Sequence, residues 1–127
     1  MKKSVWIIIG IIVLAGVAGA FYWKNNTSVN NDGKYDSFAQ CLTEKGVKMY
    51  GAWWCSHCQN QKKAFGSSWK YATYVECSTP DGNSQLPVCK DAGIEGYPTW
   101  DFGGGVRLSG EVSFDELSQR SGCPLLS

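Results

Sequence analysis

The chain has 127 residues, which is enough for one small domain. Its 12 basic and 11 acidic residues give a net charge of +1, which argues against a nucleic-acid-binding surface. Six cysteines are many for this length. They would indicate metal binding or catalysis in a cytosolic protein and disulfides in an exported one, so the compartment must be inferred first.

The N-terminal segment predicts a membrane anchor. Residues 5–23 form an uncharged apolar run of 19 residues, close to the roughly 20 residues with which a helix crosses a bilayer. Lys2 and Lys3 precede the run, so the positive-inside rule keeps the N-terminus in the cytoplasm and places the rest on the extracytoplasmic side, in a periplasm, at a cell surface or in a lumen. Residues 18–20 (Ala-Gly-Ala) also match a signal-peptide cleavage site, but the aromatic residues 21–23 directly after them favour an uncleaved anchor.

The chain is predicted to divide into an anchor (1–24), a polar, Asn-rich linker (25–34) and one folded domain (35–127). Apolar spacing, cap residues and glycines predict the elements of that domain. In chain order they are a helix (36–46), a strand (47–53), a helix (55–66), a strand (71–77), a short helix (86–93), a hairpin (99–102 with 106–109) and a helix (113–122). This alternation predicts an α/β fold.

Two cysteines, Cys55 and Cys58, stand where the first predicted strand runs into a helix. The unpaired N–H groups and the dipole of a helix N-terminus favour negative charge. The pattern therefore predicts that Cys55 is an exposed, attacking thiolate and that Cys58, one turn later, is the less reactive resolving thiol. His57 lies between them, where its imidazole would further stabilise the thiolate.

Two other readings of the Cys55–Cys58 pair are weaker. A purely structural disulfide across two intervening residues would constrain little of the unfolded chain. A zinc site needs four ligands, and His57 is the one histidine in the chain. The redox interpretation is favoured, and neither a metal nor an organic cofactor is expected.

The stretches "YGAWWCSHC" and "GYPTW" make the chain similar to the thioredoxin superfamily. The resemblance implies a thioredoxin-like fold, a small mixed sheet flanked by helices, in which a cis-Pro98 faces the cysteines and the backbone at Tyr97 offers an edge for a substrate strand. An ordinary trans-proline that opens a strand is the alternative. Trp54, with Trp53, is a candidate substrate-binding surface, although at least one of the two is expected in the core.

A narrower resemblance covers roughly residues 35–123. The blocks "FAQCLTEKGVKMYGAWWCSHCQNQKKAFG", "YVEC" and "AGIEGYPTW" resemble the thioredoxin-like domain attached to bacterial and plant homologues of vitamin K epoxide reductase. That family passes oxidising equivalents from a membrane quinone reductase to exported proteins. These 127 residues contain no multi-helix quinone-reducing domain, so the resemblance implies a separate membrane redox partner. Thioredoxins also carry a buried carboxylate six residues before the first cysteine, where this chain has Met49, so the proton acceptor for Cys58 is not evident.

Three pairings are open to the other four cysteines if Cys55 pairs with Cys58. Cys77 ends a predicted strand and Cys89 lies on the short helix after a polar loop, which favours a link between them. In a thioredoxin-like order the helix with Cys41 and the segment with Cys123 would lie close, which favours the second link. A relay role for Cys77 and Cys89 as a second redox pair is the functional alternative.

The sequence thus predicts a single-pass, membrane-anchored thiol–disulfide oxidoreductase that serves oxidative protein folding outside the cytoplasm, acting on cysteine-containing exported proteins. One alternative is an anchored reductant, for example in cytochrome maturation. The other is a non-catalytic thioredoxin-like binding module, against which the intact CxxC argues.

Overall fold

The computed structural model describes residues 33–126, which form a mixed sheet of four strands flanked by helices. The elements in chain order are α1 (Asp36–Glu44), β1 (Lys48–Gly51), α2 (Ser56–Phe65), a 3-10 helix (Gly66–Tyr71), β2 (Thr73–Glu76), α3 (Pro87–Asp91), β3 (Thr99–Asp101), β4 (Arg107–Ser109) and α4 (Phe114–Ser121). Each helix and strand predicted for the folded domain is present with somewhat tighter bounds, and the 3-10 helix is an addition. This architecture fits a thioredoxin-like fold.

The strand order is β2-β1-β3-β4. β1 pairs in parallel with β2, which places Gly51 opposite Glu76, and it pairs antiparallel with β3. The chain leaves β1 at Gly51 and enters α2 at Ser56. Because parallel strands end at the same edge of a sheet, the cysteine loop after β1 lies beside the end of β2.

The core holds α2 firmly through its C-terminal half. Phe65, fully buried at the end of α2, has ring contacts with four aromatic side chains: Phe38, Trp69, Trp100 and Phe114. Burial of one such side chain contributes about 1.5–3 kcal/mol. The helix that begins next to Cys55 is therefore anchored at its far end by packing.

A buried glutamine ties α2 to the segment before α4. Gln61 is 3% exposed, and its amide donates to the carbonyl oxygen of Val112 at 3.1 Å and accepts from the N–H of Val112 at 2.7 Å. The indole N–H of Trp100 donates to the same Gln61 oxygen at 3.3 Å. A buried polar side chain satisfied in this way is a stabilising feature, and it fixes the rotation of α2.

Two disulfides join elements that are distant in sequence. Cys41 of α1 is bonded to Cys123, which follows α4, across 82 residues, and Cys77 after β2 is bonded to Cys89 of α3 across 12 residues. These are the two pairings that the sequence favoured. In the chain-entropy treatment the longer loop contributes about 4.5 kcal/mol and the shorter about 2.8 kcal/mol.

The predicted anchor (1–24) and residues 25–32 of the predicted linker lie outside the described residues. Within residues 33–126, no helix has both the length and the apolar composition needed to cross a bilayer.

Candidate active site

Cys55 is the N-cap of α2. Its backbone is extended (φ −77°, ψ 117°), and its Sγ accepts a hydrogen bond from the N–H of Cys58 at 3.2 Å. The sulfur thus takes the place of the serine or aspartate oxygen that usually caps a helix. Cys55 therefore stands at the N-terminal end of α2, where the helix dipole and the free N–H groups are directed at its sulfur.

The prediction that Cys55 is exposed was wrong. Cys55 is 7% exposed because it packs into the main hydrophobic cluster together with Cys58, which is fully buried. Neither is bonded to another cysteine, whereas the remaining four are paired.

Burial, followed by the hydrogen bond with Cys55, raises the pKa of Cys58 to about 12. Cys58 is therefore a neutral thiol near pH 7, and its proton must be removed before its sulfur can attack a disulfide. The two sulfurs are in different environments although two residues separate them. The assignment of Cys55 as the attacking thiol and Cys58 as the resolving thiol stays a prediction.

His57 points toward a carboxylate that the sequence analysis did not single out. Its side chain is 70% exposed, and its Nδ1 lies 2.7 Å from Oε1 of Glu111, in the segment between β4 and α4. The side-chain amide of Asn60 donates to the same oxygen at 3.0 Å. Hydrogen bonds from Asn60 and then from His57 hold the pKa of Glu111 below its ordinary value. Because His57 and Glu111 are 54 positions apart in the sequence, no local pattern could have found this pair.

The two tryptophans before Cys55 correct another expectation. Trp53 is 50% exposed and Trp54 is 52% exposed, so neither lies in the core. The indole N–H of Trp53 donates to the carbonyl oxygen of Thr79 at 3.2 Å, and that of Trp54 to Oγ of Ser78 at 2.9 Å. Both rings are held by the loop after β2 because its polar groups satisfy their N–H groups at the surface.

Trp54 also meets the proline loop. The Tyr97–Pro98 peptide bond is cis, and Pro98 is fully buried. The rings of Trp54 and Tyr97 meet edge to face with 5.9 Å between centroids, while the Tyr97 hydroxyl accepts from Nε2 of Gln85 at 2.8 Å. We call the surface formed by Trp53, Trp54 and Tyr97 the aromatic platform. Trp53 and Trp54 directly precede Cys55 along the chain, and Tyr97 packs against the cluster that contains Cys55.

Met49 is fully buried and apolar at the position where the related family has a carboxylate. A carboxylate that contacts the cysteine loop is instead supplied by Glu76, whose Oε1 accepts from the N–H of Trp53 at 3.1 Å. The strand register, with Gly51 opposite Glu76, is the signal that would have revealed it. Residues 33–126 contain no group of three or more His, Cys, Asp or Glu side chains arranged to hold a metal ion.

A thioredoxin-like sheet with an unbridged Cys-X-X-Cys at a helix N-terminus defines the class of domain that exchanges thiols and disulfides. No family model matches the chain. It is similar to the thiol-disulfide oxidoreductase LTO1 of Arabidopsis thaliana, with 42% identity over 109 residues. The match covers 82% of this chain and 28% of that relative, so the chain spans less than a third of the relative's length. The identity supports a place in the thioredoxin-like superfamily.

Proposed function

We propose that this protein is a membrane-anchored, extracytoplasmic thiol–disulfide oxidoreductase that passes disulfides to exported proteins. The observation that carries the proposal is the asymmetric pair. Cys55 caps α2, while Cys58 is fully buried and its pKa is raised to about 12. The likeness to a relative named as a thiol-disulfide oxidoreductase supports the same chemistry.

The exchange begins with a Cys55–Cys58 disulfide. A substrate thiolate attacks Sγ of Cys55, the Cys55–Cys58 bond breaks, and Cys58 leaves as a thiolate that takes up a proton. A second substrate thiolate then attacks the substrate sulfur of the mixed disulfide, so the substrate disulfide forms and Cys55 leaves as a thiolate. Two electrons pass from substrate to protein, and the disulfide of a redox partner must accept them in turn.

The aromatic platform is the surface that we assign to substrate. Two half-exposed indoles and the Tyr97 ring offer rigid apolar area next to Cys55. Apolar segments are exposed in proteins that have not finished folding, and aromatic side chains bind such segments with little loss of conformational entropy. The platform would therefore hold a cysteine-containing segment near Cys55 without demanding a particular sequence.

The proposed extracytoplasmic location and the proposed membrane redox partner are supported by other features. Disulfides outside the CxxC persist in oxidising compartments, which supports an extracytoplasmic domain. The apolar run 5–23 preceded by lysines supports an anchor with a cytoplasmic N-terminus. The resemblance to domains attached to vitamin K epoxide reductase homologues supports a membrane quinone-linked oxidase as the electron acceptor.

The proposal can be tested by trapping mixed disulfides on Cys55 in membranes. With Cys58→Ala, no neighbouring thiol can release Cys55 from a mixed disulfide, so adducts with the redox partner and with substrates that lack a second nearby thiol should persist under non-reducing conditions. The control is the Cys55→Ala/Cys58→Ala double variant, which should capture nothing. Adducts with exported proteins and a polytopic redox protein are expected. Adducts with cytochrome-maturation apoproteins and a membrane reductant would show that the protein reduces its substrates instead of oxidising them. If Cys55 is reactive and no adducts form, the result would favour a non-catalytic binding module.

Equilibration against glutathione tests the direction separately. A donor of disulfides needs a reduction potential well above the value of about −270 mV of the reducing thioredoxins. We expect a value near or above about −200 mV, and His57→Pro should lower it because the thiolate loses a stabilising neighbour. A wild-type potential near −270 mV would contradict the oxidising role.

A further inference from the structure

Disulfide exchange at this site needs a group that takes and returns the proton of Cys58. The thiol is fully buried, and Met49 offers no acceptor. In each catalytic cycle Cys58 gains a proton after it leaves as a thiolate, and it loses one when it attacks the mixed disulfide between Cys55 and the redox partner. Because this cycle is the proposed function, the assignment of the groups that move the proton rests on that proposal.

Gly51 brings the Cys58 sulfur and the Tyr74 hydroxyl to one place. A Cβ built on Gly51 would lie 3.0 Å from Sγ of Cys58, 3.2 Å from the hydroxyl oxygen of Tyr74 and 2.8 Å from Cε2 of Tyr74. Any side chain at position 51 would therefore occupy the space that the thiol and the hydroxyl share. Glycine leaves that space to the two polar groups.

The Tyr74 hydroxyl is also hydrogen-bonded to Glu76. Tyr74 and Glu76 are two residues apart on β2 and so share one face of the sheet. The Tyr74 hydroxyl donates to Oε2 of Glu76 at 2.7 Å, while Oε1 accepts from the N–H groups of Trp53 at 3.1 Å and Ser78 at 2.9 Å. The two backbone donors orient the carboxylate, and its free oxygen is given to Tyr74. Glu76 is only partly buried, so it can exchange protons with solvent.

The remaining titratable groups around this space are Cys55 and Lys62. Nζ of Lys62 lies 3.7 Å from the centroid of the Tyr74 ring, and its positive charge opposes the effect of burial on the pKa of Cys58. Burial, and then the hydrogen bond to Glu76, raises the pKa of Tyr74 far above its ordinary value. Tyr74 therefore stays protonated and can only pass a proton on, giving one as it receives another.

We propose that Tyr74 and Glu76 form the proton relay of Cys58. When Cys58 attacks a mixed disulfide on Cys55, its thiol proton passes to the Tyr74 oxygen and the Tyr74 proton passes to Oε2 of Glu76. The Cys55–Cys58 bond forms, the bond from Cys55 to the departing sulfur breaks, and Glu76 ends as a carboxylic acid. When Cys58 leaves as a thiolate, the same transfers run in reverse. Tyr74 is the relay group on the side of the reacting thiol, across the space that Gly51 leaves open, and Glu76 acts through Tyr74.

The experiment follows the two steps of one reaction in the full-length, reduced protein. Reaction with 5,5′-dithiobis(2-nitrobenzoic acid) releases one coloured thiolate when Cys55 attacks and a second when Cys58 resolves the mixed disulfide. The first phase scales with reagent concentration and the second does not. The variants are Tyr74→Phe and Glu76→Gln, and the matched control is Glu116→Gln, a carboxylate of α4 paired with Arg120.

In both relay variants the rate of the second phase should fall by about 100-fold at pH 7, which is the effect expected when a general base is lost. The rate of the first phase should stay within about twofold of the wild-type rate. The deficit should shrink as pH rises, because hydroxide replaces the relay. Unchanged second phases in both variants would overturn the relay, as would a second phase slowed equally at every pH. A wild type without a first phase would overturn the proposed function itself.

Discussion

Removing a structural disulfide should lower stability, and it should do so more for the disulfide that closes the longer loop. Cys41→Ala/Cys123→Ala opens a loop of 82 residues, and Cys77→Ala/Cys89→Ala opens one of 12 residues. The chain-entropy relation gives losses of about 4.5 and 2.8 kcal/mol, a difference of about 1.7 kcal/mol. Cys77, Cys89 and Cys123 are at most 1% exposed, whereas Cys41 is only partly buried, so the cavity left in the Cys41/Cys123 variant is no larger than that in the other variant. The difference in loop length should then decide the order.

The assay is urea unfolding of the full-length protein followed by tryptophan fluorescence, with the free energy of unfolding extrapolated to water. All variants should carry Cys55→Ala and Cys58→Ala, so that the redox state of the active-site pair does not vary between samples. Because a domain of this size is stable by only about 5–15 kcal/mol, the Cys41/Cys123 variant should unfold at a much lower urea concentration. An equal or larger loss in the Cys77/Cys89 variant would refute the loop-length argument.

Three further predictions concern the site. Burial raises the pKa of Cys58 to about 12, so iodoacetamide at about pH 8 should label Cys55 and spare Cys58 in peptide maps of the reduced protein. Trp54→Ala should raise KM for a protein substrate about tenfold while leaving the reaction with glutathione disulfide nearly unchanged, because a small substrate does not need the platform. The lowered pKa of Glu111 means that its stabilising effect is complete above its ordinary pKa and is lost as pH falls through the lowered value. Wild type should therefore be more stable than Glu111→Gln at neutral pH, and the difference should vanish in acid.

Each of these predictions has a control or an opposing result. Label on Cys58 at pH 8 would contradict the burial argument. Val106→Ala, which trims another exposed apolar side chain on the β3–β4 turn, should leave KM unchanged. A tenfold effect of Trp54→Ala on the glutathione reaction would show that Trp54 acts on Cys55 itself. A stability gap between wild type and Glu111→Gln that persists in acid would show that the pairing of Glu111 with His57 and Asn60 is not its source.

The order of elements could be predicted because its signals are local. The switch from an apolar strand to a helix predicts that α2 begins at about Cys55, and the structure begins that helix at Ser56. Ser113 caps α4 by accepting from the N–H of Glu116, as their spacing predicts. Both features depend on neighbours within one or two turns of chain, which a single sequence contains.

Burial was harder to infer from residue type. Trp53 and Trp54 are large and apolar, yet both are half exposed because the loop after β2 holds their indole N–H groups at the surface. Cys55 was expected to be open to solvent at a helix N-terminus, yet it is 7% exposed against the core cluster. In each case the path of a distant segment determines exposure, and hydropathy does not encode that path.

The sequence was sufficient to place the two cysteines at a helix N-terminus and to favour the pairing of the other four, since these features follow from spacing and from the order of elements. The carboxylates around the site became visible only in three dimensions. Glu111 reaches His57 across 54 residues, and Glu76 reaches Tyr74 and the cysteine loop because β2 pairs in parallel with β1 in one particular register. Strand register and loop path bring together side chains that have no relation along the chain, and long-range packing sets both.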